Sequence, residues 1–97
     1  MVEKNVRQER WFQTALEEEL RVIEGLPIST NIRKPNNPFW QSLFRIAGIA
    51  KTGYIGREEA LTKIQAAAQH LNERDKDIAY QWQRAYLRAP ARYPKLE

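Results

Sequence analysis

In four separate stretches of this chain the apolar residues recur every three or four positions, and nowhere does an alternation of period two persist. A set that lines one face of a 3.6-residue helix is split between both faces of a strand, so this spacing selects helices. Hairpin turns of the Asn-Gly or Asp-Gly kind are also absent. The expected fold is all-α, a small bundle of three to four helices with a long proline-containing loop after the first.

The first stretch places Val6, Phe12, Ala15, Leu16, Leu20 and Ile23 on one face of a helix over about residues 5–24, with Trp11 at its margin and Gly25 and Pro27 ending it. Its acids, Glu17, Glu18 and Glu19, read as a solvated surface, since sequence neighbours on a helix point apart and do not converge as paired catalytic carboxylates must. Residues 25–37 carry two prolines and no helical period, so they form a loop or an extended crossing. Either Ile28 and Ile32 pin that segment to the core, or it is a hinge. Arg33 and Lys34 lie within it, in reach of a phosphate or simply solvated.

Asn37 before Pro38 is a helix start, the asparagine as N-cap and the proline at the first helical position. Phe39, Trp40, Leu43, Phe44, Ile46, Ala47 and Ala50 then leave few polar positions, which makes this the most buried helix. Gly48 reads as a point of close helix approach, and Gly53 as a left-handed stop. A third helix over about residues 57–72 presents Ala60, Leu61, Ile64, Ala67, Ala68 and Leu71. Glu58 and Glu59 suit its first turn, and His70 near its end reads as a surface or boundary residue. Two helices joined by a glycine turn suggest a helix-turn-helix, but acids at the start of the third helix would meet the negative duplex.

The last helix is the most informative. Asp75 is the expected N-cap and Pro90 the stop, and Ile78, Ala79, Trp82, Ala85, Tyr86 and Ala89 form its inner face. Trp82 and Tyr86, at helical spacing, read as core. Gln81, Arg84 and Arg88 are expected along a solvent-facing row that Arg92 and Lys95 continue, with Tyr80, Tyr86 and Tyr93 beside it and no acid between Arg84 and Lys95. A basic row with interleaved tyrosines suits phosphate neutralisation and base stacking. Charge distribution agrees. Through Ile32 there are four basic residues against six acids, whereas residues 33–96 hold twelve against five, within a net +4.

Other function classes have little support. With no cysteine and one histidine, thiolate zinc sites and disulfides are excluded and no metal site is expected. A phosphate-cradling glycine loop and the arrangements of nucleophilic catalysis are missing as well, so neither a freestanding enzyme nor a cofactor is expected. No apolar run is long enough for a membrane helix and no signal peptide is visible, so a cytoplasmic chain is the expectation.

The order Asn36-Asn37, a buried helix ending in a glycine turn with Tyr54-Ile55, Arg57-Glu58-Glu59-Ala60, an alanine-rich helix, then Ile78 with Gln81-Trp82-Gln83-Arg84-Ala85 and Ala91-Arg92-Tyr93-Pro94 resembles the small helical bundle C-terminal to the catalytic region of phage and plasmid primases and primase-helicases. The resemblance spans about residues 36–95. It implies an accessory bundle that helps a catalytic primase or helicase region of the same parent chain hold template DNA, single-stranded or primer-template. By that resemblance Arg84 and Arg88 meet phosphate, the tail through Arg92 and Tyr93 edges the same surface, and Arg57 contributes less. It also allows nucleotides as ligands, between helices near Arg45 or Lys51.

Residues 1–35 are thus expected as an acidic amphipathic helix plus linker and 36–95 as a three-helix bundle with a basic last helix and tail, with Leu96-Glu97 a cloning scar. The competing expectation is a protein-interaction or oligomerisation module without direct DNA contact, using Trp11 and Phe12 of the first helix.

Overall fold

The computed structural model describes residues 6–34 and 37–92, with the side chains of residues 6–8 outside the description. It contains α1 (Val6–Glu24), α2 (Pro38–Ala50), α3 (Arg57–Ala67), a single 3-10 turn (Gln69–Leu71) and α4 (Asp75–Arg88), and no strand among the described residues. The all-α bundle expected from the periodicities is the observed architecture.

Its centre is α2, which packs against α1 and α4 most extensively and also meets α3. The local causes are visible at both ends. The Asn37 side chain accepts a hydrogen bond from the Trp40 backbone N–H at 2.8 Å, satisfying a donor that the first helical turn cannot. Three residues past the last helical one, Gly53 sits at φ +90°, where a β-carbon would be strained, and reverses the chain toward α3. Phe39, Leu43, Ile46, Ala47 and Ile49 are completely buried between the flanking helices. The same core takes Phe12, Ala15, Leu16 and Ile23 from α1, Ala60 and Ile64 from α3, and Ile78, Trp82 and Ala85 from α4.

The crossing segment between α1 and α2 is pinned by one isoleucine and not the other: Ile32 is buried, Ile28 is 65% exposed. A further tie comes from His70, whose Nε2–H donates to the Leu26 carbonyl at 2.8 Å. Helix α3 stops at Ala67, earlier than its alanine spacing suggests, and the chain turns through the 3-10 segment into Asn72 at φ 57°. Helix α4 is capped at Arg74, one residue before the expected Asp75. It ends at Arg88 because Ala89 precedes Pro90 and takes the extended conformation, ψ 134°.

The start of α4 holds a charge network. Asp77 accepts hydrogen bonds from Arg74 Nε at 2.9 Å and Arg33 Nη2 at 3.2 Å, and Arg33 also lies 3.9 Å from Glu73. The Arg74 hydrogen bond, opposed by desolvation and helped by the charges of Arg74, Arg33 and Lys76, holds the Asp77 carboxyl below the usual aspartate range. A carboxyl that ionises more readily folded than unfolded contributes stability at neutral pH, and that contribution disappears as the pH falls below about 4 through the folded value. Asp77→Asn is therefore expected to lower the melting temperature at pH 7, by an amount that shrinks as the pH is taken down through the acid range below about 4, as followed by thermal circular dichroism.

Candidate nucleic-acid interface

The inner side of α4 is set by Ile78, Trp82, Ala85 and Ala89, all at most 2% exposed. Gln81 joins them at 5%, so the solvent-facing row expected to include it begins at Arg84 instead. The reason is angular: a residue three positions before Arg84 is offset by about 60°, enough to bring it into the buried side of α4 when that side is broad.

Arg84 and Arg88, one turn apart, meet on a single ring. The guanidinium carbon of Arg84 lies 5.7 Å from the Trp40 ring centroid and 5.8 Å from that of Tyr80, and that of Arg88 lies 6.0 Å from Trp40. These distances are within the range of cation–π attraction. Among the described residues no carboxylate forms an ion pair with either arginine. A guanidinium held near an aromatic ring and not by a carboxylate keeps N–H donors that can turn to an anion. Beside them Tyr80 is 59% exposed, so its ring is open to solvent.

The remaining expected contacts divide. Arg57 lies 4.6 Å from the Tyr86 ring centroid, with Lys51 Nζ 5.2 Å from the same ring. Tyr86 follows Arg84 by two positions, about 200° around the helix, so this is a second basic and aromatic cluster on the other flank of α4. Lys51 Nζ also donates to the Ala89 carbonyl at 2.5 Å, closing the end of α4. Tyr93 and Lys95 lie outside the described residues.

Arg92 is turned away from the Arg84 and Arg88 pair, against α1. Its backbone N–H donates to the Gly48 carbonyl at 2.9 Å, its guanidinium carbon lies 5.3 Å from the Trp11 ring centroid, and Nη1 is 3.9 Å from Glu19 Oε2. Gly48 makes this route possible, since a β-carbon there would stand 2.8 Å from both the Pro90 carbonyl oxygen and Arg92 Cβ. The close approach at Gly48 is that of the tail, where a helix was expected. Glu19, expected in solvent, is 8% exposed, accepts from Ser42 Oγ at 3.1 Å and pairs with Arg45 at 3.5 Å. It neutralises two of the basic residues of the second half.

Sequence reasoning placed Trp40 in the core and missed its role. The signal was present. Phe39, Leu43 and Ile46 already define the inner stripe of α2, and Trp40 and Phe44 form a second row offset by about 100° that must reach the surface or another element. Glu19 was legible in the same way, lying at the spacing of Phe12, Leu16 and Ile23.

No group of three or more potential metal ligands and no helix long and apolar enough to cross a membrane occurs among the described residues. No family model, curated protein or solved structure matches the chain.

Proposed function

We propose that this bundle is an accessory DNA-binding domain of a phage- or plasmid-type replication protein, a primase or primase-helicase, in which Arg84 and Arg88 hold the backbone of a template strand. In this reading the domain is not catalytic by itself, and the reaction belongs to a neighbouring primase or helicase region. The supporting observation is the convergence on Trp40, beside the exposed ring of Tyr80, of two guanidinium groups that have no carboxylate partner among the described residues. Positive charge next to aromatic faces is the combination that binds single strands with little regard to sequence. The assignment to replication rests on the sequence resemblance of residues 36–95.

Fluorescence anisotropy with a labelled single-stranded oligonucleotide tests it. Affinity should fall with salt, with a log-log slope of about −0.7 per phosphate engaged, and Arg84→Ala/Arg88→Ala should make the slope shallower by about 1.4. Neither side chain belongs to the core, so the double variant should keep its helical circular dichroism. Identical binding curves for the two proteins would remove both arginines from the interface.

One observation favours the interaction-module reading: Leu87 is 69% exposed and lies two turns from Tyr80 on the outside of α4. Trp11 favours it less, since Arg92 covers its ring. A dimer in light scattering that Leu87→Ser dissolves, with no oligonucleotide binding, would put that reading first.

A further inference from the structure

Next to the two arginines α2 has a hollow of about 310 Å³, lined by Trp40, Gln41, Phe44 and Arg45 and open to solvent. Its aromatic rings have centroids 6.5 Å apart and are inclined at 49°, so they form two walls of one concavity. Both side chains are half-buried, which fixes their positions while leaving ring surface accessible. Arg45 is held at the margin by its 3.5 Å pair with Glu19, and the Arg84 and Arg88 guanidiniums approach the same Trp40 ring from α4.

We infer that this hollow receives one unstacked nucleobase of a single DNA strand whose backbone runs past Arg84 and Arg88. The inference rests on the phosphate-binding reading above and adds a base subsite to it. The volume is at the lower end of that of small-ligand clefts, about 300 to 1,000 Å³, and suits a single base with its sugar better than a larger ligand. A base offers a flat π-face to an aromatic wall, and in duplex DNA that face is hidden in the stack. The site therefore selects single strands. Charge complementarity argues the same way: among the described residues no carboxylate lines this hollow. The hollow between α1 and α3, about 340 Å³, sets Glu17 and Glu59 against one cation, Lys63, and the one over Trp82, about 260 Å³, sets Glu58 beside Arg57. Each thus has a carboxylate in its wall that a passing phosphodiester would meet, which the Trp40 hollow does not.

The test uses two single strands of equal length and equal phosphate number, one of thymidines and one of abasic residues, titrated into the unaltered domain at several salt concentrations. The base-bearing strand should bind about 5- to 100-fold more tightly, the gain expected from stacking on an aromatic side chain. Both strands should show the same salt slope, since they neutralise the same arginines. Trp40→Leu should abolish the difference between strands and leave the slope unchanged. Phe44→Leu, a milder change in the same hollow, should reduce the difference and serves if Trp40→Leu lowers the helical circular dichroism signal. Equal affinity for the two strands, with a salt slope present, would overturn the base subsite and leave the phosphate contacts standing. Binding of neither strand would overturn both.

Discussion

Trp82→Ala is expected to lower the stability of the domain by about 3 to 5 kcal/mol, the range observed when a large aromatic is removed from a packed core. Trp82 is 2% exposed and the largest of the fully buried side chains, placed on the inner face of α4 with its ring centroid 5.8 Å from that of Tyr86. A chain of 97 residues is near the size at which burial only just outweighs conformational entropy. Against a total stability of about 5 to 15 kcal/mol, such a loss amounts to a large fraction and corresponds to a fall in melting temperature of roughly 15–30 °C. The companion substitution sharpens the test. Indole N–H groups in cores usually have an acceptor, but Nε1 of Trp82 has none among the described residues. Trp82→Phe therefore breaks no hydrogen bond within the domain and should lose only the packing of the smaller ring, about 1 to 2 kcal/mol. Thermal circular dichroism of the two variants measures the difference. A loss under about 1 kcal/mol in the alanine variant would mean that α4 is not held by this side chain.

On the proposed DNA-binding reading, a consequence for binding follows from where Trp82 points. Arg84 and Arg88 reach Trp40 only because the inner face of α4 docks on α2. An α4 detached by loss of the indole would still carry both charges but no longer present them beside an aromatic surface. Oligonucleotide affinity of Trp82→Ala should then fall even at temperatures where α1 and α2 retain their helicity.

Elements whose cause is local were legible in the sequence. Asn37-Pro38 starts α2, Gly53 reverses the chain and Pro90 ends α4, each through a backbone preference of a residue and its neighbours. The inward direction of Ile78, Trp82 and Ala85 was legible too, since periodicity encodes it. What the sequence concealed depends on which helix lies opposite. Gln81 is buried because the inner face of α4 is wide, and Ile28 is exposed because Leu26 and Ile32 already anchor its segment. Arg92 continues the basic row in sequence, yet the break after Arg88 lets the chain cross Gly48 and turn that arginine to α1. Arg33, from its loop, is drawn to Asp77 forty-four positions away. A linear count of charges treated these cations as equivalent, and pairing across the fold leaves Arg84 and Arg88, in the last two turns of α4, without a carboxylate ion pair among the described residues.

Glu19→Ala should release the tail. The carboxylate is nearly buried, and it joins three elements through Ser42 Oγ, Arg45 and Arg92. Its two cationic partners have side chains 50% and 38% exposed, so solvent screens much of the charge interaction and a fully buried pair is the wrong comparison. The completely buried Ser42 hydroxyl, however, loses its acceptor. Together these give an expected loss of about 1 to 3 kcal/mol. Glu19→Gln, which keeps an oxygen for Ser42 and the packing, should cost less. The more specific readout is the Arg92 amide, whose hydrogen bond to the Gly48 carbonyl anchors the tail. Its hydrogen exchange should accelerate in Glu19→Ala more than that of amides in the middle of α2, because an untied terminal segment opens locally while the core stays closed. If the domain binds DNA as proposed, an Arg92 freed from its carboxylate also becomes available to phosphate, and the salt dependence of oligonucleotide binding should steepen by up to about 0.7. Unchanged exchange at Arg92 together with unchanged stability would show that the tail is held at Gly48 by backbone packing alone and that Glu19 is no part of the latch.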